Sequence, residues 1–142
     1  MRVHFPSVYV KDTGSAKGRG VYAARPHLDG ELIEVCPVVL FFGSFTDIPD
    51  EIRKLLFNWG VLANRGNTHG LALGYGSLYN HDNPANMRYE ADPVHPLLRF
   101  IAVRAIAQHE ELTVNYNAIG GGHESVTDTW FDRMGIKPVI GS

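Results

Sequence analysis

Short apolar runs separated by turn-forming residues dominate this chain of 142 residues. The sequence contains 15 glycines and 8 prolines, and many of them stand between these runs. Runs bounded in this way are typical of β-strands. The predicted strands are residues 3–10, 21–24, 31–35, 38–42, 87–90, 97–104 and 111–116. A mainly β fold with few short helices follows. Because proline cannot donate to a ladder, Pro37 is expected at an edge or at a break that separates two strands.

One segment has the periodicity of a helix instead. Its apolar residues recur at i, i+3, i+4 and i+7, at Ile52, Leu55, Leu56 and Trp59. Pro49 suits a first helical turn, so the pattern predicts a packing helix over residues 48–58.

Residues 23–32 and 102–111 resemble each other. Each contains an Arg followed six residues later by a Glu in a turn, Arg25 with Glu31 and Arg104 with Glu110. The similarity suggests one strand–turn–strand unit used twice, with chance similarity of two hairpins as the alternative. One pair is too few for a solenoid, which requires at least three repeats.

Composition narrows the class of protein. An apolar fraction of 44% and an aromatic fraction of 11% are those of an ordinary globular domain. The single cysteine, Cys36, excludes an internal disulfide and a cysteine-rich zinc site. A net charge of −2 with scattered Lys and Arg disfavours direct nucleic-acid binding. With neither a membrane-spanning run nor the apolar centre of a signal peptide, we expect an intracellular protein, cytoplasmic or nuclear, without membrane contact.

The seven histidines raise the alternative of a metal hydrolase. None of them forms a His-x-x-x-His pair or lies with Asp or Glu at a familiar ligand spacing. We therefore predict no metal site.

Three segments together carry a resemblance to a known family. They read LysGlyArgGlyValTyrAla at 17–23, TyrAsnHisAspAsnProAlaAsn at 79–86 and GluGluLeuThrValAsnTyr at 110–116. In this order they resemble the SET domain of protein-lysine methyltransferases, over about residues 3–117. The resemblance implies a β-clip fold of several small sheets around a knot-like chain crossing. It also implies transfer of a methyl group from S-adenosyl-L-methionine to a lysine of another protein.

The first two segments resemble the cofactor-binding motifs of that family. The resemblance assigns cofactor contacts to Lys17, Gly18, Arg19, Gly20, Asn80 and His81. Glycine allows a close approach of main chain to a ligand, but a tight turn between strands is the alternative for the first segment. For the second segment the alternative is a purely structural role, since amide and imidazole groups also bond backbone. Asn86 matches the last Asn of the family motif.

The third segment ends at Tyr116, which the resemblance assigns as the catalytic residue. Tyr75 and Tyr79 are assigned to the substrate channel, with core packing as the alternative for Tyr75. Val114 occupies the position that in relatives often influences how many methyl groups are added.

Four positions depart from the family motifs. Asp82 replaces Ser, Ala85 replaces Pro, His109 replaces Gly and Asn115 replaces Asp. His109 therefore occupies a turn position where a left-handed backbone is expected, which glycine tolerates better. Because fold does not guarantee activity, a catalytically silent SET-like module that binds a protein or a cofactor-like ligand stays open as the second hypothesis.

The resemblance also divides the chain. Residues 1–117 form the SET domain, and residues 118–142 form a C-terminal tail that packs on it and closes the substrate channel. The tail lacks the zinc-binding cysteines of many relatives. Trp130 and Phe131 are its aromatic candidates for closing the channel, with ordinary core packing as the alternative. The expected partner is a basic protein with a target lysine. A homodimer is left open, because small relatives without accessory domains sometimes dimerise.

Overall fold

A computed structural model of the protein describes residues 2–63, 66–118 and 121–126. Its strands are β1 (Val8–Asp12), β2 (Arg19–Ala23), β3 (Leu32–Phe42), β4 (Leu56–Phe57), β5 (Thr68–Ala72), β6 (Asn80–His81), β7 (Met87–Asp92), β8 (Leu97–Ala102) and β9 (Thr113–Val114). Its helices are α1 (Asp50–Arg53) and α2 (Trp59–Ala63), preceded by a 3-10 turn at Phe45–Asp47. The prediction of a mainly β fold with few short helices is confirmed.

The strands of the described residues form three small sheets. β1 pairs with β2, and an antiparallel sheet has the order β4-β5-β3-β8-β7. β6 and β9 form the third sheet, which is parallel. Fully buried side chains of β2, β3, β7 and β8 build a shared core that includes Val21, Ile33, Met87, Leu98 and Phe100. This core supports the short β6 and β9, which carry the site.

Pro37 does not separate two strands, so that part of the prediction was wrong. β3 is continuous, and its pairing partner changes at this residue. β3 pairs with β8 from Leu32 to Pro37 and with β5 from Val38 onward. The proline carbonyl accepts a hydrogen bond from the Leu73 N–H at 2.9 Å. Because the missing N–H falls where the ladder changes sides, the strand continues past the proline.

The single helix predicted over residues 48–58 was also wrong. Only α1 is helical there, and Leu56 and Phe57 instead form β4, paired with Leu71 and Gly70 of β5. Trp59 is buried against Gly70, where an added Cβ would lie 3.3 Å from the indole ring. Pairing with a strand more than ten residues away therefore overrode the local periodicity. Within the described ranges, no helix has the length and apolar character needed to cross a bilayer.

The two similar segments fold alike and face each other. His27 and Ile106 exchange backbone hydrogen bonds of 2.9 Å in both directions. The Gly30 N–H donates to the Ala102 carbonyl, and the His109 N–H donates to the Ala23 carbonyl, each at 2.8 Å. These reciprocal contacts are those of a pseudo-twofold pair, which confirms the predicted repeated unit.

The side chains of the repeated unit obey the same symmetry. Arg25 pairs with Glu31 and donates to the carbonyl of the next residue, and Arg104 does the same with Glu110. The turn residues correspond as well, since Gly30 has a φ of 82° and His109 a φ of 70°. The expectation of a left-handed backbone at His109 is confirmed. Its ring is held by Tyr9, whose hydroxyl is hydrogen-bonded to the His109 Nδ1 atom at 2.8 Å.

Candidate functional site

The site is built around the crossing of β6 and β9. Asn80 lies opposite Thr113 and His81 lies opposite Val114 in this two-residue parallel pair. Asn86 supports the pair from the next loop. Its Oδ1 accepts from the Thr113 N–H at 2.9 Å, and its Nδ2 donates to the Glu111 carbonyl at 2.7 Å. Asn86 thus replaces ladder hydrogen bonds that such short strands cannot make alone.

Tyr116 follows β9 and turns its hydroxyl back toward β6. The hydroxyl donates to the backbone carbonyl of Tyr79 at 2.7 Å. The Tyr116 N–H donates to the Nδ1 atom of His81 at 3.1 Å, and the two rings lie 5.3 Å apart. Burial, together with the negative charge of Glu111, raises the pKa of Tyr116. The phenol is therefore neutral at neutral pH, and its proton is donated to the Tyr79 carbonyl in a hydrogen bond.

The β1–β2 turn places its main chain beside Asn80. The Asn80 Nδ2 donates to the Arg19 carbonyl at 2.9 Å. Within the turn, the Thr13 N–H and hydroxyl both bond the Gly18 carbonyl, at 2.7 and 2.6 Å. Gly18 has a φ of 75° and no atom within 4 Å of an added Cβ. The turn is thus ordered by its own hydrogen bonds and leaves space next to its main chain.

Glu111 joins this turn to the crossing, and sequence reasoning missed it. Its carboxylate accepts from the Asn80 Nδ2 at 2.8 Å and pairs with the Lys17 ammonium at 3.9 Å. A Cβ at Gly20 would lie 2.6 Å from the Glu111 Oε2, so a side chain there would displace the carboxylate. The side chain of Lys17 is only 4% exposed. The available signal was the position of Glu111 inside the third motif, where roles were assigned to Val114 and Tyr116 but not to Glu111.

Tyr79 reaches the site through its backbone rather than its ring. The ring is 1% exposed, lies 4.9 Å from that of Phe100, and its hydroxyl donates to Glu34 at 2.6 Å. Val114 is fully buried, and Tyr75 is half-buried against the core. The channel role of Tyr75, Tyr79 and Val114 stays a prediction. Glu34 was not identified from the sequence, because no motif surrounds it.

Two of the motif departures help to bind residues 121–126. The Nδ2 of Asn115, which replaces Asp, donates to the Ser125 Oγ at 3.0 Å, and the Ala85 N–H donates to the His123 carbonyl at 2.8 Å. Asn83 exchanges hydrogen bonds with the backbone of Ser125 in both directions. The first described part of the tail therefore packs on the loop that follows β6. Trp130 and Phe131 lie outside the described residues.

Cys36 has no exposed reactive thiol. It is buried, and burial together with the charge of Glu34 raises the pKa of the Cys36 thiol, which donates to that carboxylate. Such a thiol is a poor nucleophile. Among the residues that the structure describes, no group of three His, Cys, Asp or Glu side chains is placed to hold a metal ion.

The chain is similar to known proteins. The family model for the SET domain matches residues 18–117. A histone-lysine N-methyltransferase of Schizosaccharomyces pombe, specific for H3 lysine-37, is 32% identical over 107 residues, covering 75% of this chain and 71% of that protein.

Solved structures share the fold. A proposed histone methyltransferase of Plasmodium falciparum superposes with a TM-score of 0.62 at 24% identity, covering 80% of this chain and 96% of the other. A chain of an inhibitor-bound, humanized mutant of the Chaetomium thermophilum Polycomb Repressive Complex 2 superposes with a TM-score of 0.63 at 20% identity. That match covers 80% of this chain and 15% of the much longer one.

Proposed function

The chain belongs to the SET domain family, and from this premise we propose that it is an S-adenosyl-L-methionine-dependent protein-lysine N-methyltransferase. One observation carries the proposal: the Tyr116 hydroxyl is aimed at the Tyr79 carbonyl, directly beside the Asn80–His81 crossing. The activity of the relative that is 32% identical supports it.

The residues present fit the proposed cofactor. S-adenosyl-L-methionine ends in an ammonium and a carboxylate, and the pair of Lys17 and Glu111 beside Asn80 offers a charge of each sign. The open space at Gly18 leaves the turn accessible to a ligand. We assign the holding of the cofactor to Lys17, Gly18, Arg19, Gly20, Asn80 and His81. When bound, the cofactor supplies an electrophilic methyl group.

Tyr116 would orient the amine of the target lysine. Because the phenol proton is donated to Tyr79, the lone pairs of its oxygen are left to accept an N–H of the amine. When the amine donates one N–H to the Tyr116 oxygen, the nitrogen lone pair is held in one direction. An in-line displacement requires this alignment. A free lysine has a pKa of about 10.4, so the amine must be made neutral by transfer into an apolar channel. Tyr116 itself is no base here, since its proton is held and its pKa is raised.

The proposed substrate is a basic, histone-like segment of another protein, and this proposal places the enzyme inside the cell. The H3 specificity of the Schizosaccharomyces pombe relative supports a histone as the first candidate. We further propose that residues 1–117 are the catalytic domain and that residues 118–142 close the substrate channel. The contacts of Asn83, Ala85 and Asn115 with residues 123–125 support the packing of that tail.

Mass spectrometry tests the proposal. The protein is incubated with S-adenosyl-L-methionine and with histones or a cell lysate, and lysine methylation is read from peptide masses. We expect methylated lysines in the wild type and a loss of about 100-fold in rate in Tyr116→Phe, since misplacement of a reacting group costs on that order. Tyr9→Phe loses an exposed hydroxyl hydrogen bond far along the chain from the crossing and is the matched control.

Three outcomes would count against the proposal. Methylation that is unchanged in Tyr116→Phe removes Tyr116 from the mechanism. Cofactor binding by calorimetry without transfer to any protein supports the silent module instead. Absence of cofactor binding would falsify both readings.

A further inference from the structure

Glu34 is a carboxylate buried in the protein interior. It lies on β3 and is only 3% exposed. Burial raises the pKa of Glu34, although its hydrogen bonds with Tyr79 and Tyr75 act in the opposite direction. Placing a carboxyl group in a core is unfavourable unless it is fully hydrogen-bonded, and an apolar residue of similar size would pack without this cost. The contacts of Glu34 should therefore explain why a carboxyl group lies at this position.

The two oxygens of Glu34 hold the two ends of one short segment. Oε2 accepts from the Tyr75 N–H at 3.0 Å, and Oε1 accepts from the Tyr79 hydroxyl at 2.6 Å. Contact with the segment is close, since a Cβ at Gly74 would lie 2.6 Å from Oε2. The carboxyl group thus brackets residues 75–79 at their beginning and end.

This segment leads directly into the site. The carbonyl of Tyr79 accepts the Tyr116 hydroxyl at 2.7 Å. The next two residues are Asn80 and His81, which form β6. One side chain, that of Tyr79, therefore separates Glu34 from the acceptor that aims the Tyr116 hydroxyl.

We propose that Glu34 is a positioning residue, which holds Tyr79 in place and through its carbonyl sets the direction of the Tyr116 hydroxyl. For its effect on catalysis this inference rests on the proposed function. The geometric part does not, because the hydroxyl direction can be measured without any reaction.

Two variants weaken the link in different ways. Tyr79→Phe keeps the ring against Phe100 and the backbone carbonyl but removes the hydroxyl that binds Glu34. Glu34→Gln keeps the shape of the side chain and removes its charge. Tyr9→Phe and Glu90→Gln make the same chemical changes at hydrogen-bonded positions away from the crossing and should keep the wild-type rate.

Steady-state kinetics provide the first readout. We expect kcat to fall about tenfold in Tyr79→Phe and in Glu34→Gln, because small misplacements of a catalytic group cost rates of this order. KM for the protein substrate should stay near that of the wild type. If kcat per folded molecule is unchanged while only Tm falls, Glu34 has a merely structural role and the proposal is overturned.

A spectrum of the protein labelled with 13C at the tyrosine ζ carbon provides the second readout. The Tyr116 resonance is identified by its disappearance in Tyr116→Phe. We expect it to shift in Tyr79→Phe and Glu34→Gln and to stay in place in Tyr9→Phe. If Glu34→Gln does not fold, Tyr79→Phe decides alone. If the wild type transfers no methyl group, the proposed function fails, and an unshifted Tyr116 resonance then separately overturns this inference.

Discussion

Residues 23–32 and residues 102–111 fold into the same strand–turn–strand unit, but only the second unit is tied to the crossing of β6 and β9. Their backbones exchange matched hydrogen bonds, and each has an Arg–Glu pair spanning six residues. Glu31 binds His27 and Arg25, which belong to its own unit. Glu110 binds Arg104 of its own unit and also Asn86, which lies beyond it.

This difference shows where the two units diverge. The local backbone is conserved between the copies even at the left-handed turn residue, which is glycine in one and histidine in the other. The connection to the site comes from one additional partner, Asn86, and from the residues that follow Glu110. The two units therefore differ in their contacts with another segment and not in their own fold.

Among these variants, Asn86→Ala should cause the largest loss of stability, because Asn86 ties the second unit to the crossing. The variant leaves the buried Thr113 N–H and the Glu111 carbonyl without their hydrogen-bond partner. We expect the free energy of unfolding to fall by about 3 kcal/mol, since orphaned buried groups are costly. Urea unfolding followed by tryptophan fluorescence, to which the buried Trp59 contributes, measures it. Leu28→Ala, at an exposed position of the first unit, should have little effect, and a loss below about 1 kcal/mol in Asn86→Ala would contradict the assigned role.

The fall of the unfolding free energy at acid pH should distinguish the carboxylates of Glu31 and Glu110. Burial acts to raise the pKa of Glu31 and of Glu110, but hydrogen bonds from His27 and Arg25, and from Arg104 and Asn86, lower both pKa values below 4.5. A lowered pKa means that the unfolded chain binds protons first, so this stability is present above pH 4.5 and is lost as the pH falls below it.

Unfolding free energies measured from pH 7 to pH 3 test this. We expect Glu31→Gln and Glu110→Gln each to lower stability at neutral pH by about 1 kcal/mol and to flatten the acid limb, with the larger change in Glu110→Gln. Glu34 has a raised pKa, so its contribution to stability has the opposite pH dependence. Because Glu34 is present in every variant, this contribution cancels when a variant is compared with the wild type. Curves parallel to that of the wild type would show that neither pair is formed.

Gly30→Ala should measure the backbone cost of the shared turn. Gly30 has a φ of 82°, and no atom lies within 4 Å of an added Cβ, so the change adds strain without a clash. We expect a loss of about 1 kcal/mol in urea unfolding. Gly122→Ala, where φ is not in the left-handed region, is the control with a smaller expected effect. Equal effects at the two glycines would rule out backbone strain as the cause.

His109 should give the smallest effect and the most specific one. His109→Gly removes the strain of a φ of 70° but loses the contact with Tyr9, so a gain of about 0.5 kcal/mol is expected. His109→Ala keeps the strain and loses the same contact, so a loss of about 0.5 kcal/mol is expected. Opposite signs in thermal unfolding support this separation, and a common sign contradicts it.

Much of the site could be predicted from the sequence because its motifs are contiguous. Asn80, His81 and Tyr116 stand in two of the three segments that indicated the family, and the structure brings them together at β6 and β9. Glu34 was missed because no motif surrounds it, and Glu111 was missed because no role was assigned to its position in the third motif. Glu34 acquires its contacts only where β3 passes residues 75–79, more than 40 positions along the chain.

The sequence by itself determined the mainly β fold class, the repeated unit and the family, since these depend on neighbouring residues and on the order of motifs. The tertiary structure alone decided that residues 48–58 are not one helix and that β3 continues through Pro37, because pairing with β5 supplies backbone partners that local periodicity cannot show. It also decided how Tyr116 is aimed. That direction depends on hydrogen bonds between residues 79 and 116 and between residues 34 and 79, which form only when the chain crosses itself.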